Sequence, residues 1–238
     1  MNTPAIAILF ADRDGVYSSF PVDIWDKSRD ARCYDGDSPV VAHPPCESWG
    51  KLYAMKKGRR LGDDDGCFAA ALAAVERVGG VLEHPEGSFA WPKFGLLPPE
   101  QGKGWIKDPF RPGWSCQVYQ GHYGHPAAKS TWLYYVGSVP PPALNFSSSP
   151  GGRDLCRLSS RARRTTPLYF AQALIDLAEL ARRGELVELA GREQLAELAR
   201  RRELVDLAVP GKLAWPINLV HRCDLAYLAV PAHRSQLV

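Results

Sequence analysis

The chain is short of the features that assign a class at a glance. Its six cysteines, Cys33, Cys46, Cys67, Cys116, Cys156 and Cys223, include no C-x-x-C pair. The opening stretch MNTPAIAILFADRD has neither a basic n-region nor a long apolar h-region. A secreted disulfide scaffold is therefore not expected, and the cytoplasm is the expected compartment. No apolar run approaches the ~20 residues needed to cross a bilayer, so no membrane span is expected. An excess of one charge sign is missing too: Lys and Arg number 29 against 26 Asp and Glu, a net +3, too little to announce a polyanionic partner unaided. What remains is ordinary globular material, 238 residues with 45% hydrophobic and 23% charged content, enough for one sizeable core.

Along that chain, the run 5–11 is apolar, β-prone and followed by Asp12-Arg13-Asp14-Gly15, the pattern of a buried strand ending in a loop. Val40-Val41-Ala42 leads into His43-Pro44-Pro45-Cys46, where two prolines forbid helix and stiffen the strand's exit. Residues 63–78 predict a helix, with Phe68, Leu72, Val75 and Val78 at helical spacing behind three aspartates, and Gly79-Gly80 ending it. Val81-Leu82 opens a strand that delivers Glu83-His84-Pro85 to a sheet edge, residues 89–116 read as an irregular Trp-, Pro- and Gly-rich excursion, and 131–136 (TWLYYV) reads as a strand. The expected fold is α/β, a reduced Rossmann-like sheet with helices.

Behind a loop rich in Pro, Ser, Gly and Arg, Thr166-Pro167 supplies an N-cap and a first-turn proline. The repeats ELVELA at 185 and ELVDLA at 203 then keep leucines on one face, because 18 residues are five helical turns. The expected divisions are an α/β body over 1–165, a long amphipathic helical segment over 166–210 and a tail over 211–238.

Three groups fall at strand ends: Pro44-Pro45-Cys46, Glu83-His84-Pro85, and Tyr123-Gly124-His125 with Lys129-Ser130-Thr131. A cysteine held by prolines at a strand's carboxyl end is positioned as a nucleophile. A carboxyl group on the neighbouring strand suits the other half of an addition to an electron-poor ring, in which sulfur joins one carbon and an acid meets a ring nitrogen. His43 and Cys46 lie three apart, as do His122 and His125, but no second pair has zinc spacing, and no metal is expected.

These residues resemble the catalytic half of the DNA cytosine-5 methyltransferases, where a Pro-Cys loop carries the nucleophile and a Glu-Asn strand end binds the cytosine edge. GGVLEHPEGS and YGHPAAKSTWLY are similar to segments of small phage and prophage proteins, which implies a host-cell cytoplasm. The resemblance implies that Cys46 adds to C6 of a pyrimidine, Glu83 meets N3 and the exocyclic amine, and Lys129 supports the base. It implies substrate contacts from Pro45, Ser48, Trp49, His84, Ser88 and His125. It also implies S-adenosylmethionine as cofactor, held by Phe10, Asp12, Gly15 and Asp26, although only one glycine of the family's Phe-x-Gly-x-Gly turn has a counterpart here.

Only about thirty residues separate the 131–136 strand from Thr166, where the family inserts a target-recognition domain. The expected substrate is accordingly nucleic acid read without sequence preference, or a pyrimidine nucleotide. Arg153, Arg157, Arg161, Arg163 and Arg164 suit phosphates, and Trp49, Trp91, Trp105 and Trp114 suit a stacking surface. Two alternatives accompany this reading: hydroxymethylation of the same carbon with a folate donor, and an inactive methyltransferase-like protein that binds nucleic acid or a protein. The C-terminal helices suit self-association or a protein partner.

Overall fold

The computed structural model describes residues 6–50, 60–182 and 193. The chain divides into two compact units, Met1–Arg192 and Glu193–Val238, so the expected boundary at 165/166 falls inside the first. The helical repeats at 185 and 203 and the tail lie outside the described residues. Among these, no helix is long and apolar enough to cross a membrane.

The body is built on one sheet of seven strands: β1 (Ala7–Leu9), β2 (Asp23–Trp25), β3 (Val40–Ala42), β4 (Gly80–Pro85), β5 (Ile106–Lys107), β6 (Trp114–Tyr119) and β7 (Ser130–Val136), in the order β2-β1-β3-β4-β7-β6-β5. The first four run parallel, and β7, β6 and β5 add to β4 in antiparallel fashion. Connection length explains the parallel run and the β5-β6-β7 meander. A parallel neighbour needs a crossover of a dozen or more residues, which β3 to β4 has, whereas β5 to β6 and β6 to β7 are joined by short loops that permit only antiparallel pairing. The stretch expected to be irregular thus contains β5, the start of β6 and a short helix, α2 (Ala90–Lys93). Its prolines and glycines mask the alternation of Trp114–Tyr119.

Side chains alternate across this sheet. Ala7, Leu9, Val40, Ala42, Leu82 and Tyr134 pack on one face with Phe68, Leu72 and Val75 of α1 (Cys67–Val78). Ile8, Val41, Val81, Leu133 and Tyr135 pack on the other with Phe170, Leu174 and Leu177, which belong to a helix that starts at 168 and is described through 182, α4. Burial of each of the valine, leucine, isoleucine and phenylalanine side chains among them contributes about 1.5–3 kcal/mol. A further five-residue helix, α3 (Ser160–Arg164), precedes α4.

The helix expected from residue 63 begins at Cys67. Asp64 stays outside it as a cap, its carboxylate accepting from Gly66 N at 3.1 Å and Phe68 N at 2.8 Å. Gly80 is required where β4 meets β3. Its φ is +120°, and a Cβ there would lie 2.0 Å from the Val40 carbonyl oxygen.

Candidate active site at the sheet edge

The registers place the carboxyl ends of β1, β3, β4 and β6 and the start of β7 along one edge: Leu9 pairs with Ala42, Ala42 with Leu82, Pro85 with Thr131 and Tyr119 with Ser130. The loops leaving these strands therefore share one rim, the place where open α/β sheets gather functional groups. Two non-glycine residues on it have left-handed backbones, Phe10 with φ +62° and Lys129 with φ +45°.

His43 leaves β3 with its backbone N–H bonded to Leu9 O at 3.0 Å. The two prolines carry the chain to Cys46, whose carbonyl accepts from Trp49 N at 3.1 Å and Gly50 N at 2.9 Å. Glu83 projects from β4 on the α4 face, since it alternates with Leu82 and His84. One carboxylate oxygen meets His43 Nδ1 at 3.0 Å, and the other accepts from Gln120 Nε2 at 3.1 Å. Behind His43, its Nε2 is 2.7 Å from the Tyr17 hydroxyl. Gln120, at the end of β6, also donates to Thr131 Oγ1 at 3.0 Å.

Charges tie Cys46 and Lys129 to this network. Burial pushes the Cys46 thiol up, Glu83 pushes it further, and Lys129 opposes both. Burial pulls Lys129 below the ordinary lysine value, while Glu83 and Cys46 hold it back. Burial also works to raise Glu83, yet the His43 hydrogen bond, with Lys129 as a nearby charge, leaves it below the usual carboxylate value. Cys46, Glu83 and Lys129 thus lie within mutual electrostatic reach. In the resting site the cysteine is a thiol and the glutamate a carboxylate.

Most of the substrate contacts expected from sequence are spent on structure. Ser48 Oγ donates to Asp63 O at 2.6 Å. Trp49 is 4% exposed, and its indole N–H donates to Asp64 at 2.8 Å. His84 is buried against the rings of Phe68 and Trp91 with Nδ1 on Ser88 Oγ at 2.7 Å, and Ser88 Oγ also accepts from Ala90 N. His125 is held between Ala127 and the Ala162 carbonyl, 3.2 Å from Nε2. Trp49 and Trp91 are core residues, so the expected stacking surface does not include them. Pro45 is exposed beside Cys46.

Of the residues expected to hold S-adenosylmethionine, Asp26 has both carboxylate oxygens engaged within the chain. Asp26 is spent inside its own turn, accepting from Ser28 N, Ser28 Oγ and Arg29 N on one oxygen and from Arg13 Nε at 2.9 Å on the other. Asp12 closes a turn through its carbonyl to Gly15 N, at 3.0 Å, and Phe10 N bonds Trp25 O.

The chain matches no protein-family model and no curated protein. The site is therefore read from its own chemistry. Tyr17, His43 and Gln120 are its additions to the sequence-based set. His43 was legible beside the prolines, but Gln120 was not, because the strand that delivers it was not recognised. Among the described residues, no cluster of three or more His, Cys, Asp or Glu side chains could hold a metal.

Proposed function

We propose that the sheet edge is the active site of an enzyme that modifies C5 of a pyrimidine, cytosine in the first instance, through a covalent adduct on Cys46. The observation that carries this reading is the placement of Cys46, Glu83 and Lys129 at one rim of the sheet, with the Glu83 carboxylate held by His43 at 3.0 Å and Gln120 at 3.1 Å. In the adduct-forming step Sγ bonds to C6, the S–H bond breaks, and the C5=C6 electron pair moves toward the ring nitrogen. Glu83 takes the thiol proton and delivers it to N3, so the base gains the proton that sulfur loses. Lys129 balances the negative charge as it moves from carboxylate to ring. C5 is thereby made nucleophilic toward a one-carbon electrophile.

Support for a methyltransferase-type sheet comes from the chain reversal between β2 and β3 on either side of β1, which opens a crevice at the carboxyl edge. A nucleic-acid substrate draws on the arginines of α3. Arg161, Arg163 and Arg164 are exposed, and the segment is pinned to the site loop by Lys129 Nζ donating to Thr165 O at 3.1 Å and by His125 on Ala162.

The test is a covalent trap. Oligonucleotides and nucleotides carrying 5-fluorocytosine or 5-fluorouracil are incubated with the protein alone, with S-adenosylmethionine, or with a reduced folate, and intact mass is read. The expected result is a pyrimidine adduct on wild-type protein that Cys46→Ala abolishes. Absence of an adduct under every donor condition overturns the reading, and the donor that drives turnover separates methylation from the folate alternative.

A further inference from the structure

We propose that His43 is a positioning residue, with Tyr17 fixing the imidazole tautomer that keeps Glu83 a hydrogen-bond acceptor. It deepens the adduct reading above, since the acceptor so held is the group that takes the thiol proton.

The argument starts from which atoms can donate. A carboxylate has no hydrogen, so the 3.0 Å contact between His43 Nδ1 and Glu83 is a hydrogen bond only if Nδ1 carries one. In the neutral ring Nε2 is then a lone pair, and the Tyr17 hydroxyl at 2.7 Å donates to it. The opposite tautomer would set two lone pairs against each other at Glu83. Tyr17 is itself 2% exposed, and burial, reinforced by Glu83, keeps its hydroxyl protonated. It therefore acts as a fixed donor and not as a proton source.

Gln120 works from the other side. It turns its amide N–H group toward Glu83 and leaves Oε1 buried without a hydrogen-bond partner among the described residues, an arrangement that costs free energy unless the carboxylate needs the donor. The titratable groups whose charge bears on Glu83 are Tyr17 from the loop after β1, His43 and Cys46 from the loop after β3, Lys129 from the loop before β7, and, from the opposite face of its own strand, His84. His43 is the one of these that hydrogen-bonds it. Rigid delivery is built in, because His43 is tied to Leu9 on one side and followed by two prolines on the other.

Two measurements on the full-length protein test the proposal. First, 15N shifts of the His43 ring and a 13C-carboxyl titration of Glu83 are recorded without substrate in wild type, His43→Leu, His43→Asn and Tyr17→Phe. The expected tautomer is Nδ1–H, with the Glu83 midpoint below the usual glutamate value. His43→Leu should raise that midpoint by about one to two pH units, the scale of a lost hydrogen bond to a charged group. His43→Asn, whose amide nitrogen can take the place of Nδ1, should restore it, and Tyr17→Phe should loosen the tautomer preference. An Nε2–H ring in wild type, or an unmoved midpoint in His43→Leu, overturns the proposal. If His43→Leu does not fold, the wild-type tautomer and the Asn variant still decide it.

Second, the rate of adduct formation on a 5-fluoropyrimidine oligonucleotide is followed against pH. The acid limb should move up in His43→Leu by the same interval and return in His43→Asn. Expected midpoints with no adduct on wild type would remove the adduct reading while His43 keeps its positioning role. An adduct whose acid limb ignores His43 would do the reverse.

Discussion

At the scale of single residues, the resting state of Cys46 is the informative point. A proline-held cysteine at a strand end invites the expectation of a ready thiolate, but burial and the Glu83 charge both favour the thiol, with Lys129 only partly offsetting them. The nucleophile is therefore made on demand, when its proton passes to Glu83 as sulfur attacks. A consequence can be measured without substrate. The midpoint of the pH profile for iodoacetamide alkylation of Cys46, followed at the peptide level, should lie above that of an ordinary thiol. Glu83→Gln removes the nearby negative charge and should lower the midpoint by about half to one pH unit, whereas Lys129→Met should raise it by a similar amount. Midpoints identical in all three proteins would mean that these groups do not share a site. Using midpoints and not rates keeps the result independent of how open the loop is to reagent.

At the scale of elements, β4 carries both a site residue and a structural one, and its alternation separates them: Glu83 faces the α4 side and His84 the α1 side. The resemblance implied a substrate contact for His84, yet burial drives its imidazole down to about 4, which marks a histidine kept neutral in the core. The unfolded chain, with a histidine near 6.5, takes up this proton before the folded protein does, so stability is intact above that pH and falls as pH drops toward 4. The difference corresponds to about 3 kcal/mol. His84→Leu should flatten that loss between pH 7 and 4.5 in urea denaturation, and equal acid sensitivity in the variant would contradict the assignment. The same strand shows what could be read beforehand. Val40-Val41-Ala42, 81–85 and TWLYYV were legible as strands because apolar β-formers dominate them, and His-Pro-Pro-Cys was legible as a stiff exit. Trp114–Tyr119 was not, since its identity as a strand depends on pairing with β7, a long-range contact that leaves little local trace. With that strand went Gln120. The internal bonds of Ser48, Trp49, Ser88 and His125 were not legible either, since a resemblance in local sequence says nothing about which way each side chain turns.

At the scale of the whole molecule, the modest net charge of +3 conceals an uneven distribution. Arg153, Arg161, Arg163 and Arg164 are exposed and have no carboxylate partner among the described residues, and Arg157 has Asp154 at 4.0 Å. A solvated basic loop and a phosphate-binding turn would have the same composition. What distinguishes this one is its attachment, because His125 and Lys129 bind its backbone to the loop that supplies the site. A strand whose base enters the site would then lay its phosphates near α3. If so, replacing Arg161, Arg163 and Arg164 with glutamine should weaken binding of single-stranded oligonucleotides uniformly across sequences. It should also reduce the slope of log affinity against log salt by about 2, since each phosphate contact to a single strand contributes roughly 0.7. Adduct formation on the free 5-fluoropyrimidine nucleotide should be unchanged, because α3 would have no phosphate chain to hold. A variant with the wild-type salt slope would place the arginines away from the substrate, and equal losses on nucleotide and oligonucleotide would show that the substitutions had disturbed the Lys129 loop instead.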